Sequence, residues 1–139
     1  MSDELLSKAD ALRMLVDLAK AGKHKPTHVG PDEIMFRVKC PTGRTQTATA
    51  RLAGRHGAPS HFVFESLSVP ESKDGEERAL VMNGQINFSI VAIQPHEGTD
   101  HLVLRHVRPI ADCDPEEVQV AIEDVAVLAD RLAAEVGAG

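Results

Sequence analysis

Apolar positions along the chain follow two periods. Near the N-terminus Leu5, Ala9, Leu12, Val16 and Ala19 recur at steps of four and three, with Leu15 and Leu18 widening the stripe. That spacing predicts a helix burying one face, over residues 3 to 21. Ser2 is placed as its N-cap, Asp3 and Glu4 suit the positive end of the dipole, and Ala21-Gly22 followed by Pro26 supplies the stop. From Ile34 the period becomes two. Ile34, Phe36, Val38 and Cys40 alternate with Met35, Arg37 and Lys39, and after the turn Pro41-Thr42-Gly43 the residues Gln46, Ala48, Ala50 and Leu52 alternate with Thr45, Thr47, Thr49 and Arg51. These two runs predict a β-hairpin with one face toward a core. A loop is expected from Gly54 to Pro59, then a third antiparallel strand from His61 to Val69, closed by Pro70.

The second half repeats the alternation of element types. A short helix is expected over residues 75 to 85, weakened at its end by Gly84. Phe88–Ile93 and His101–Val107 are apolar, β-prone runs separated by Pro95 to Asp100, which predicts a second hairpin. The last helix has the clearest start: Asp114 as N-cap, Pro115 at the first helical position and Glu117 completing a capping-box pattern. Val118, Ala121, Ile122, Val125, Ala129, Leu132 and Val136 form its apolar stripe, and Gly137 is placed at its end. The expected fold is therefore α+β, α-β(3)-α-β(2)-α with an antiparallel five-stranded sheet. One domain spans residues 1–139, with no internal repeat or linker.

Composition narrows the class. At 139 residues, with 42% hydrophobic and 26% charged residues, the chain can bury a single core without covalent staples. Cys40 and Cys113 stand outside any CxxC pair, so neither a disulfide framework nor a structural zinc site is expected, and a reducing compartment is the simpler setting. The acidic start MSDELLSKAD does not read as a secretory signal. No apolar run approaches the ~18 residues of a membrane span. A soluble, cytoplasmic protein without a membrane partner is the expectation. Trp and Tyr are absent and Phe occurs four times, which removes the usual aromatic anchors of interfaces and base-stacking platforms.

The net charge of −6 conceals an asymmetry. Between Ile34 and Phe64 lie Arg37, Lys39, Arg44, Arg51 and Arg55 and no acid, whereas from Ala111 onward eight acids face the single base Arg131. Arg37 and Lys39 share the polar face of the first strand, and Arg51 shares that of the second with Thr45, Thr47 and Thr49. Paired as a hairpin, they would make a basic, hydroxyl-rich surface for an acidic peptide. An ordinary solvated sheet face has the same composition.

Catalytic and metal chemistry finds no support in the spacing. Of the seven histidines, His101 and His106 are separated by an odd number within one strand and point to opposite faces, while Pro26 interrupts the His24/His28 pair. Asp112 and Asp114 flank Cys113 and oppose thiolate formation, and Cys40 falls in the apolar register. No GxSxG, HExxH, P-loop or dinucleotide fingerprint occurs. No catalytic residue, metal or cofactor is assigned, and a small enzyme of unrecognised class stays as a residual alternative.

The order helix, three strands, helix, two strands, helix is that of the secretion-chaperone-like fold, shared by type III secretion chaperones and YbjN-like bacterial domains. Leu102-Val103-Leu104-Arg105-His106, then Pro109-Ile110-Ala111-Asp112-Cys113-Asp114 leading into a helix with Ala121-Ile122 and Ala129-Asp130, resembles the final strand and helix of the YbjN-like group. Gly43-Arg44 followed by Gln46 is similar to that group's first hairpin. The resemblance implies a two-layer domain, often homodimeric and non-enzymatic, that presents a sheet or helix surface to another polypeptide. Arg37, Lys39, Arg44, Gln46 and Arg51 are the candidate contacts, with Phe62 and Phe64 either apolar anchors or core. Nucleic acid or another polyanion on the basic hairpin is the competing reading, against which the overall acidity and missing Tyr and Trp weigh.

Overall fold

The computed structural model describes residues 7–55, 58–86 and 88–138. Three helices, α1 (Lys8–Ala21), α2 (Lys73–Asn83) and α3 (Pro115–Ala138), accompany six strands: β1 (His28–Val29), β2 (Glu33–Lys39), β3 (Thr45–Arg55), β4 (Ala58–Pro70), β5 (Ser89–His96) and β6 (Thr99–Pro109). The strands form one open antiparallel sheet in the order β1-β2-β3-β4-β6-β5. The fold is α+β, with one strand more than the five expected. β1 falls between the stop at Pro26 and the period-two run from Ile34, where no strand is predicted. It is two exposed residues pairing with Ile34 and Met35, too short to carry a period-two signal.

Burial follows the strand alternation. Ile34, Phe36 and Val38 of β2, Ala48 and Ala50 of β3, Phe62 and Phe64 of β4, and Leu102 and Leu104 of β6 join the buried side chains of all three helices in one cluster. The register Phe36↔Ala48 and Ala50↔Phe64 sets small residues of β3 between large ones of its neighbours, so the layer fills without overpacking. α3 carries the largest helical share, from Val118 through Ile122, Val125 and Ala129 to Leu132.

Several boundaries differ from expectation. α1 starts behind Ser7, whose side chain accepts the Asp10 N–H at 3.1 Å; Ser2, Asp3, Glu4 and Leu5 lie outside the described residues. Its buried stripe is Ala11, Leu12, Leu15 and Ala19, while Ala9 is exposed and Val16 half-buried. α2 is capped by Ser72 and begins two residues earlier than expected; Leu80 on its outer face is 74% exposed. β3 reaches Arg55 and β4 starts at Ala58, both inside the segment expected as a loop. Gly54 pairs with Pro59 across a register shift, and a Cβ there would sit 1.8 Å from the Ala58 carbonyl oxygen, an approach only glycine permits. The β5–β6 turn shrinks to Glu97-Gly98, at φ 51° and 82°, the left-handed pair of a two-residue hairpin turn that matches strand twist. Asp114 caps α3 as predicted, accepting the Glu117 N–H at 2.8 Å. The helix continues through Gly137 to Ala138, so that glycine does not terminate it.

The two sheet edges are finished differently. On β5 the Asn83 side chain pairs with the outer backbone of Val91, accepting its N–H at 2.7 Å and donating to its carbonyl at 3.3 Å, and Pro95 has no N–H to offer. On β2 the pairing with β1 and the Thr27 N–H to Met35 carbonyl bond stop at Met35. Among the described residues, no helix is long and apolar enough to cross a membrane.

Phe64 has no exposed surface and meets Phe62 and His106 edge-on, with ring centroids 6.3 and 6.4 Å away. Phe64→Ala should lower unfolding stability by about 3–5 kcal/mol, measured by urea denaturation.

Candidate functional site

The predicted hairpin does bring Arg37, Lys39, Thr45, Thr47, Thr49 and Arg51 onto one face, in the register Arg37↔Thr47 and Lys39↔Thr45. The positive strip is nevertheless broken. Arg51 is held by Glu65 of β4, Nε to Oε1 at 2.9 Å, and Arg105 of β6 takes the other carboxylate oxygen at 2.7 Å while donating to Gln94 at 2.9 Å. Glu65 is 6% exposed, a carboxylate that two guanidiniums let the middle of the sheet bury. Above it lies a depression of ≈ 590 Å³ lined by Met35, the threonines, Gln94 and Val103. Arg51 there stands between Glu65 and its cross-strand neighbour Glu33, and the local positive field is cancelled.

Arg44 is engaged elsewhere. Its Nε donates to Asp130 of α3 at 2.8 Å, and Thr42 donates to the second oxygen at 2.7 Å, tying the β2–β3 turn to the helix. Burial alone would raise the Asp130 carboxyl; the bonds from Arg44 and Thr42 and the Arg44 charge outweigh it and hold the group below its ordinary value. Gln46 lies on the core side of β3 and donates to Ser66 Oγ at 3.1 Å and the Leu67 carbonyl at 2.6 Å. Phe62 and Phe64 are fully buried, which makes them core and removes them from any contact surface. The side chain of Arg55 is not among those described.

Arg37 and Lys39 remain. Both are exposed, and neither is ion-paired among the described residues. Since the Met35 and Glu33 carbonyls face β1 and its turn, the period of two directs the N–H and C=O of Arg37 and Lys39 to the same open side. There they border a cleft of ≈ 690 Å³ whose other walls are Lys23 and His24 from the segment after α1 and Glu123 and Val127 from α3. Gln119 accepts the Lys23 N–H at 2.9 Å, and His24 Nε2 lies 2.8 Å from Glu123 Oε1, so that wall is fastened to the helix. Cys40 lines the cleft with its thiol turned to the Val38 and Ala126 carbonyls, 3.7 and 3.8 Å away.

Sequence reasoning missed Lys23, His24, Glu65 and Glu123. Glu65 sits one residue beyond the acid-free segment, and only the β3–β4 register, Thr49↔Glu65, places it beside Arg51. It also missed a polar cluster in which Ser89 and His106 are buried and Asp124 is half-buried. Ser89 Oγ donates to Asp124 Oδ2, and His106 Nδ1 lies 3.4 Å from that hydroxyl and 3.6 Å from the same carboxylate oxygen. The His106 ring beside it is the main cause holding the Asp124 carboxyl down, with Ser89 assisting against burial. A nucleophilic triad needs serine and carboxylate on opposite ring nitrogens. Here both approach Nδ1, and the ring is shut between Phe64 and Phe88. The arrangement links β5 and β6 to α3.

Burial raises both thiols, with Asp130 adding to the effect on Cys40 and Glu117 to that on Cys113, which reaches about 11. The upward shifts oppose thiolate formation at both cysteines. Among the described residues, no group of three or more His, Cys, Asp or Glu side chains is placed to hold a metal ion.

Asp130 gives the site a pH signature. Its folded value is depressed from 3.8, so its contribution is complete above that value and is lost as pH falls through the lower folded one. Asp130→Asn should cost about 1–2 kcal/mol at neutral pH and flatten the acid limb of a stability–pH curve measured by denaturant titration.

No family model matches the chain, and no curated protein matches it.

Proposed function

We propose that the chain is a non-catalytic protein-binding module that takes up an extended segment of another polypeptide along the free edge of β2. One observation carries this reading: the backbone donors and acceptors of Arg37 and Lys39 face a cleft of ≈ 690 Å³ with no strand beside them. An extended segment satisfies such groups in register, main chain to main chain, with its side chains set alternately above and below the sheet. The helix-fastened wall opposite supplies a second surface for the added strand. The finer fold reading, a two-layer secretion-chaperone-like domain of YbjN-like type, belongs to the same proposal and supports a polypeptide partner. Engagement of Arg44 by Asp130 and Arg51 by Glu65 leaves a nucleic-acid partner with less support, because phosphate binding needs focused, unpaired basic charge.

Selection against an unbiased displayed-peptide library tests the proposal. Recovered peptides should protect the Arg37 and Lys39 amides from hydrogen exchange. Lys39→Pro, which removes an outward donor and leaves the β3 side of the ladder intact, should weaken them about tenfold. Peptides that protect only other surfaces and bind the proline variant equally would overturn it.

A further inference from the structure

We infer that the segment received at the β2 edge is short and acidic, with carboxylates at alternate positions. This rests on the strand-addition reading above. Arg37 and Lys39 stand two apart on one face of β2, and Lys23 enters the cleft from the facing wall. The cleft's lining carries Lys23, Arg37 and Lys39 against the single carboxylate Glu123, so its net charge is positive. Residues of an added strand opposite Arg37 and Lys39 would bring their side chains within about 5 Å of these cations on the same face, close enough for cross-strand charge pairing. Two carboxylates separated by one residue meet that requirement; two lysines meet repulsion.

Length is bounded from both ends. β1 occupies the edge as far as Met35, and the chain leaves the sheet at Cys40 to enter the turn closed by the Gly43 N–H to Cys40 carbonyl bond. The open stretch therefore accepts about three to five residues at ~3.3 Å each. The same charges disfavour a second copy as occupant, because antiparallel pairing of two β2 edges sets Arg37 and Lys39 of one chain against those of the other, and like charges facing across a ladder are unfavourable.

The test uses the full chain and three short fluorescent peptides: alternating glutamate and valine, alternating lysine and valine, and the glutamate peptide with alternate backbone amides methylated. Anisotropy should show the glutamate peptide binding about tenfold tighter than the lysine one, more weakly as salt rises, with the preference reversed by Arg37→Glu with Lys39→Glu. Thermal denaturation of that double variant verifies its fold, since both side chains are exposed. Equal affinity for the glutamate and lysine peptides, with binding lost in the methylated glutamate peptide, would overturn the acidic specificity while leaving strand addition in place. Binding indifferent to methylation, or no peptide binding with no exchange protection at Arg37 and Lys39, would overturn both.

Discussion

The fold depends on the packing of α3 against the inner face of the sheet, where Val118, Ile122, Val125, Ala129 and Leu132 meet the layer built by Phe36, Phe62, Phe64 and Leu104. A long apolar stripe on one helix and a period-two apolar face on the strands each require a partner, and they supply it to one another. The remaining elements adapt to that contact. α1 and α2 extend the cluster through Leu12, Leu15, Ala79 and Met82, and the polar links Arg44–Asp130, His24–Glu123 and Ser89–Asp124 all terminate on α3. The helix thereby fixes the β2–β3 turn, the segment after α1 and the start of β5.

Charge placement follows from this layering. Residues on the core side are apolar or hydrogen-bonded, so basic groups collect on the opposite face and along the edges. Where the central strands are close, burial demands compensation, and Glu65 between Arg51 and Arg105 provides it. Farther out, at Arg37 and Lys39, solvent makes compensation unnecessary. The basic segment of the sequence thus separates into a neutralised middle and a charged margin, a distinction of depth that linear composition does not contain.

Much of the architecture was legible because it rests on local periodicity: the alternation in β2 and β3, the outward placement of Arg37 and Lys39, and the Asp114 cap with its stripe on α3. Features decided by tertiary contact were not. The pairing of His28 and Val29 depends on β2 lying beside them. Ala9 and Val16 fit the helical period as well as Ala11 and Leu15 do; which pair faces inward depends on how α1 settles on the sheet. Gly54 has the local character of a loop and serves a bulge because Ala58 approaches it. For the site, strand direction could be read for each side chain, but Glu65 beside Arg51, or Lys23 across from Arg37, requires register and topology. The open side of β2 follows from β1 being so short, a strand that the sequence did not announce.

The contrast between the outer strands carries a further consequence. Asn83 and Pro95 interrupt the outer edge of β5 at Val91 and at Pro95 itself, whereas β2 is left without a neighbouring strand beyond Met35. A margin interrupted at both Val91 and Pro95 does not present the continuous row of free donors and acceptors on which strand stacking into fibrils depends, so edge-to-edge growth is discouraged on that side.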